Sequence, residues 1–452
     1  MSVTSPRGFR ASGVTAGLKA SGAPDLALVV NDGPQKSAAA VFTSNRVAAA
    51  PVLWSREVLR DGRVDAVVLN SGGANACTGP QGFQNTHLTA EKAAGFLGVS
   101  ATDVVVCSTG LIGEQLPMDK LLAGVEAAVA ALGGNGADPA DDDDGGRGAS
   151  DGRNVGGGKG RPTSGGAAAA TAIRTTDTRS KEALWTALVP VAGHAAASTA
   201  GFDAGSATGS GTGPDGGSAT GVDALSVGGY SIGGMAKGAG MLAPGLATML
   251  VVLTTDAVVE SEGLDTALRD ATRMSFDRVD SDGCMSTNDT VLLLASGASG
   301  TYPDMAEFTA GLSAVCQDLA QQLIGDAEGA SHNISISTVN AASEQDAVLV
   351  GKTVARSNLF KAAIFGNDPN WGRVLAAVGT TDAVFDPDQL DVSINGVKIC
   401  RNGGIGDSRD LVDLTPREVS VEIDLHAGAA RATILTNDLT HAYVEENSAY
   451  SS

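Results

Sequence analysis

Seven glycines, at 228, 229, 233, 234, 238, 240 and 245, crowd the stretch that leads into an apolar run from Met249 to Leu253. So few side chains cannot build a core alone. The stretch reads as backbone for tight turns and close approach, delivering the chain through Ala247 and Thr248 into a buried strand over residues 248–255. Two further tracts limit the fold from the other side. Residues 133–166 and 199–224 are rich in Gly, Ser and Asp, with four consecutive aspartates from Asp141 to Asp144. They hold too little apolar surface to offset the entropy of ordering the chain. They are expected to be surface insertions, at about 133–167 and 199–224.

Between these tracts, strand-like runs occur at Leu26–Asn31, Ala39–Phe42, Ala66–Asn70 and Val104–Ser108, with helical windows at Asn85–Leu97 and Met118–Leu132. Helices are expected at Ser261–Ser275 and Met305–Leu323, flanking a strand at Thr290–Leu294. The last hundred residues combine strands at Gln389–Ile394, Val419–Asp424 and Ala432–Leu435 with a helix around Val354–Phe360. The pattern predicts an α/β or α+β protein with strands throughout. A length of 452 residues, 43% of them hydrophobic, supports two or three domains with sizeable cores.

A net charge of -21 argues against nucleic acid as a partner. The longest apolar stretches fall short of a membrane span, and the N-terminal residues show no secretory signal. The cysteines at 77, 107, 284, 316 and 400 are odd in number and widely spaced, which predicts reduced thiols and a cytoplasmic setting. His87, His194, His332, His426 and His441 show no ligand spacing, so no metal is expected. Neither a Walker loop nor a dinucleotide fingerprint is present.

A threonine opening a buried strand is by itself unremarkable, since Thr suits strands. Its setting is more telling: Lys237 lies eleven residues ahead, among glycines, with Pro244 near the junction. Lys237-Gly238-Ala239-Gly240-Met241-Leu242-Ala243-Pro244-Gly245-Leu246-Ala247-Thr248-Met249-Leu250 resembles the self-cleavage motif of the ornithine acetyltransferase family, K-G-x-G-M-x-x-P-x-x-A-T-M-L. The resemblance continues through NSGGANACTG (70–79), STGLIGE (108–114), TTDT (175–178), the block at 275–297, FGNDPNWGRVLAAVG (365–379) and the terminal ENSAYSS.

The resemblance implies a layered α/β sandwich like that of N-terminal-nucleophile enzymes, with a smaller C-terminal α/β domain. It implies self-cleavage between Ala247 and Thr248, giving an α chain of 1–247 and a β chain of 248–452 that assemble as an α2β2 heterotetramer. Thr248 would be the nucleophile, its own α-amine serving as base, and Thr109 with Gly110 would form the oxyanion hole. Thr175, Lys237, Thr248, Glu328, Asn447 and Ser452 match the family's substrate-binding positions. The implied reaction carries acetyl from N-acetylornithine to glutamate in arginine biosynthesis, without a metal or prosthetic group, and leaves open acetyl-CoA as a further donor. We assign Lys237 to the substrate α-carboxylate and Glu328 to the ornithine ammonium.

Three departures from the family pattern stand out. Gly245 occupies a position where Asn or Ser is usual, His332 replaces a lysine, and the insertion before Gly228 separates Thr175 from Lys237 by more residues than usual. Three rival readings remain. Gly229–Gly233 matches GxSxG, which with Asp424 and His426 or His441 would make Ser231 a hydrolase nucleophile, although the following residues form a poor helix. An N-terminal-nucleophile aminopeptidase would share the acyl-enzyme. A glycine-rich scaffold would neither cleave itself nor transfer acetyl groups.

Overall fold

The computed structural model describes residues 2–132, 164–189, 228–241 and 249–449. In chain order its first nine strands are β1 (Phe9–Val14), β2 (Leu26–Asn31), β3 (Ser37–Phe42), β4 (Ala66–Asn70), β5 (Val104–Ser108), β6 (Lys181–Val189), β7 (Gly228–Lys237), β8 (Leu250–Thr255) and β9 (Thr290–Ala295). They form two sheets, ordered β1-β2-β4-β5 and β3-β9-β8-β7-β6. The parallel pairs β4–β5 and β8–β9 are joined through helices Gly79–Leu97 and Ser261–Arg273, as parallel strands require a long crossover.

The apolar run of β8 is buried on both faces. Leu250 and Val252 join the core shared with the first sheet, together with Leu292 and Leu294 of β9. Val251 and Leu253 point the other way, into a core with helices Ser261–Arg273 and Met305–Gly325. A sheet covered on both sides needs apolar residues at every position, which is why the sequence shows a continuous run instead of alternation. The result is a layered α/β sandwich.

The glycine stretch corrects the expectation of tight turns. Residues 228–237 form one ten-residue strand, paired with β6 and β8. Its glycines serve close packing: a Cβ on Gly233 would lie 2.4 Å from the Ser2 carbonyl oxygen, and one on Gly234 would lie 2.8 Å from Leu253 Cδ2.

The C-terminal residues form a third sheet from β10 (Asn333–Ala341), β11 (Asp391–Ile394), β12 (Val397–Arg401), β13 (Gly404–Ile405), β14 (Glu418–Asp424) and β15 (Ala430–Asn437), ordered β13-β12-β11-β14-β10-β15. It has a core of its own, with Ile336, Val350, Phe360, Val374, Val392, Val421 and Ile434. The Asp280 N–H donates to the Leu435 carbonyl (2.8 Å) and Asn437 Nδ2 to the Ile324 carbonyl (3.1 Å), tying this smaller unit to helix Met305–Gly325 and to the segment that follows Ser261–Arg273.

Several boundaries move. The expected helix at Val354–Phe360 is two helices, Glu344–Ala355 and Asn358–Phe365, because the Ser357 hydroxyl accepts from the Phe360 N–H and caps a new start. The first insertion was expected to run to 167, but Gly165–Ala172 is helical and capped by Ser164. The helix expected from Asn85 starts at Gly79, with a proline in its first turn. The rest of the first insertion, the second insertion, and the 247/248 chain junction lie outside the described residues.

Candidate active site

β5 ends at Ser108, and the next two residues turn sharply against a second loop. The Thr109 N–H donates to the Asn70 carbonyl and the Gly73 N–H to the Thr109 carbonyl, both at 3.0 Å. Gly110 has φ +133, and a Cβ there would lie 2.7 Å from the Gly73 nitrogen, so only glycine fits. β7 ends at Lys237, which is 1% exposed. Lys237 Nζ donates to Thr109 Oγ1 at 3.2 Å. Because the lysine occupies a lone pair of the hydroxyl, the Thr109 O–H can donate to a further acceptor.

A buried charge network lies beneath. Asp177 Oδ1 accepts from Lys181 Nζ (2.6 Å) and from the Gly238 N–H (2.7 Å), and Lys181 also donates to Asp326 at 2.6 Å. Burial alone would raise the Asp177 carboxyl, but the charges of Lys237 and Lys181 and the Gly238 N–H outweigh it and hold it at about 2. Burial pulls the Lys237 ammonium below its ordinary range, against the opposing attraction of Asp177.

A third segment comes from the turn before β9. Asn288 Nδ2 donates to the carbonyls of Ala74 (2.6 Å) and Ser108 (2.8 Å), clamping both loops that carry the Thr109–Gly110 turn. Its neighbour Asp289 accepts the Met249 N–H at 3.0 Å, and burial raises this carboxyl well above its ordinary range. One turn therefore sets the register between the head of β8 and the Thr109 loop.

These segments enclose a cleft of about 610 Å³, open mouth included, lined by Thr109, Gly110, Thr175, Lys237, Glu328 and Asn447. Six expected site residues, drawn from separate segments, thus share one cleft. Thr175 reaches it despite the insertion. Asn447 arrives on the C-terminal helix His441–Ala449. Ala247, Thr248 and Ser452 lie outside the described residues, but Met249, bonded to Thr248, is anchored by Asp289. The cleft also includes Ala74, Ile112, Ser286, Thr287 and Asn288, which the motif blocks contain but nothing local singles out.

Other expectations change. Ser231 sits inside β7, paired with Thr186, and both its N–H and hydroxyl face Asp256 Oδ1 at 2.8 and 3.5 Å. It is on no strand-to-helix elbow, which removes the GxSxG reading. His426 contacts Asp391 (3.3 Å) in the third sheet instead. His332 does not line the cleft; its Nδ1 meets Asp438 at 2.8 Å and its Nε2 meets the Leu414 carbonyl at 3.0 Å. Cys77 and Cys284 are exposed, while Cys107, Cys316 and Cys400 are buried. Among the described residues no cluster suits a metal, and no helix is long and apolar enough to cross a membrane.

Comparison with known proteins agrees across the chain. The sequence profile of the ArgJ family matches residues 10–211 and 218–452. The chain is 57% identical over 452 residues to the arginine biosynthesis bifunctional protein ArgJ of Streptomyces coelicolor, covering 100% of each. It is 49% identical over 456 residues to the protein of the same name from Mycobacterium leprae, covering 100% of this chain and 96% of that one. A solved ornithine acetyltransferase from Mycobacterium tuberculosis, in complex with ornithine, is similar at 42% identity, with a TM-score of 0.37 over 54% of this chain and 94% of that chain.

Proposed function

The chain belongs to the ArgJ family, and from that premise we propose that it transfers acetyl from N2-acetylornithine to glutamate through an acyl-enzyme on Thr248. One observation carries the reading: Thr109, Gly110, Thr175, Lys237, Glu328 and Asn447 line a single cleft, and the next residue after its lining Asn288 is Asp289, which holds the Met249 N–H.

Maturation comes first. The Thr248 hydroxyl attacks the Ala247 carbonyl, the Ala247–Thr248 C–N bond breaks, and an ester forms as the freed amine takes up a proton. Water then hydrolyses the ester, leaving an α chain of 1–247 and a β chain that begins with Thr248. The unmasked amine, with an ordinary pKa of about 8, is matched to accept the hydroxyl proton near neutral pH.

In the first half-reaction Thr248 Oγ1 attacks the acetyl carbonyl, and the developing oxyanion meets the Thr109 hydroxyl and the Gly110 N–H. Collapse breaks the acetyl C–N bond, and ornithine leaves with the proton that the Thr248 amine had taken. The glutamate amine then attacks the ester, yielding N-acetylglutamate and restoring the hydroxyl. Lys237 suits the substrate α-carboxylate and Glu328 the ornithine ammonium. None of these steps calls for a metal or prosthetic group. We place acetyl-CoA as a second donor at the same nucleophile, and the cleaved chains as a cytoplasmic α2β2 assembly.

The test is intact mass under denaturing conditions, beside Thr248→Ala. Two fragments meeting between Ala247 and Thr248, with an acetyl increment on the second after N-acetylornithine, are expected for the natural chain alone. A single full-length mass in both proteins overturns the mechanism. Free acetate formed at the same rate with and without glutamate would make the enzyme an amidase.

A further inference from the structure

The ping-pong reaction sets a problem that Glu328 alone does not solve. One site must first hold a diamino acid with a cationic end, then an acidic amino acid with an anionic end. A chamber of one sign would reject one of the two, and an apolar chamber would reject both.

A second cleft adjoins the first. Glu328 lines both, and the second is also lined by Asp282, Arg356, Lys361, Asp438 and Tyr443. The Glu328 carboxylate lies against the bare face of Gly240, where a Cβ would approach its Oε2 to 2.5 Å. Asp282 accepts the Met241 N–H at 2.6 Å and the Cys284 N–H at 3.0 Å, one on each oxygen, leaving each a further acceptor direction. Met241 itself borders the first cleft, so Asp282 stands where the two meet. Tyr443 faces the same place, and burial together with the Asp282 and Glu328 charges pushes its hydroxyl up to about 12, keeping it a donor.

The cations differ from one another. Arg356 Nε is engaged with Asp280 at 2.7 Å. Asp438 is occupied by Ser331 and His332. Lys361, only 5% exposed, donates to the Ser281 carbonyl. Its ammonium has two further N–H donors.

We propose that this second cleft holds the far end of the substrate side chain, Asp282 and Glu328 taking a terminal ammonium and Lys361 a terminal carboxylate. The proposal rests on the acetyl-transfer reading above. It assigns Lys361 and Asp282 as specificity-determining residues for amino acids with a charged end of either sign. Burial already pulls the Lys361 ammonium below its ordinary range, against Asp282, Asp280 and Asp438, so an incoming carboxylate restores the charge that burial disfavours.

Two assays separate the substrates. Exchange of labelled ornithine into N-acetylornithine uses only the cationic-ended pair, whereas net transfer needs glutamate as well. Lys361→Gln should lower kcat/KM for glutamate relative to that for ornithine exchange by about tenfold or more, the usual loss for a charge-assisted hydrogen bond. Asp282→Asn should shift the ratio the opposite way. Ratios that stay fixed, or move together, overturn the proposal. A measurement on the natural enzyme needs no variant to fold: glutamine, which lacks the terminal charge, should be about tenfold or more poorer than glutamate as acceptor. Equal use of glutamine overturns the role of Lys361. A natural enzyme that exchanges no ornithine overturns the acetyl-transfer reading itself, a result distinct from normal exchange with unmoved ratios.

Discussion

At residue scale, the site depends on a few backbone and charge positions where substitution is costly. Gly110 combines φ +133 with a 2.7 Å approach to the Gly73 nitrogen, so Gly110→Ala must displace the turn that presents its N–H. On the proposed mechanism that N–H serves only the developing oxyanion, so kcat should fall by about a hundredfold while KM moves much less. Steady-state kinetics with N-acetylornithine would check this. Asp177 is a buried carboxylate between two lysines, and its role lies in stability. Its carboxyl is held at about 2, below the ordinary range, by the charges and N–H that outweigh burial. The stabilisation is therefore fully present above the ordinary carboxylate range near 4 and is lost as pH falls through about 2. Asp177→Asn should cost about 3 kcal/mol at neutral pH and flatten the acid limb of the stability curve. Urea unfolding at pH 7 and at pH 3 would show both effects. Lys237, Thr109 and Gly110 are legible in the sequence because each sits in a contiguous motif. Asn288 and Lys361 are not, because their roles come from contacts with distant segments.

At element scale, β7 shows how glycine misleads a reading by local propensity. Glycine is poor in strands for want of a side chain, yet here its bareness lets Ser2 lie against the sheet and the side chain of Leu253, on the paired strand, lie over Gly234. The same strand decides the fate of the GxSxG pattern. Ser231 is held through its backbone N–H to Asp256, which does not depend on the hydroxyl. Ser231→Ala should therefore leave acetyl transfer within about twofold and unfolding free energy within about 0.5 kcal/mol. Loss of activity in that variant would restore the serine-nucleophile reading. Continuous apolar runs were the most legible elements: β2, β4, β5 and the body of β8 follow directly from burial on both faces. The break at Ser357 was less so. Helical periodicity runs on across it, and a cap is recognised only once its hydroxyl is seen to accept an N–H.

At the scale of the whole molecule, segments far apart in the chain line one cleft, and the C-terminal helix contributes to it. Helix His441–Ala449 buries no residue of its own, yet it carries Tyr443 and Asn447 to the two clefts. Truncation after Val444 removes Asn447 and Ser452 but keeps Tyr443. KM for N-acetylornithine should rise about tenfold, while unfolding free energy changes by less than about 1 kcal/mol. An unchanged KM in the truncated enzyme would remove the tail from the site. By itself the sequence determined what is written in contiguous residues: the family, the strands and helices marked by continuous apolar runs or helical periodicity, and the threonine expected to act as nucleophile. Only the tertiary structure decided which segments converge. The Asn288 clamp spans 180 residues to Ser108, and Lys361 and Asp282 gather beside Glu328 from three separate loops and helices. Such contacts arise from how sheets and cores pack, and no local period or spacing records them.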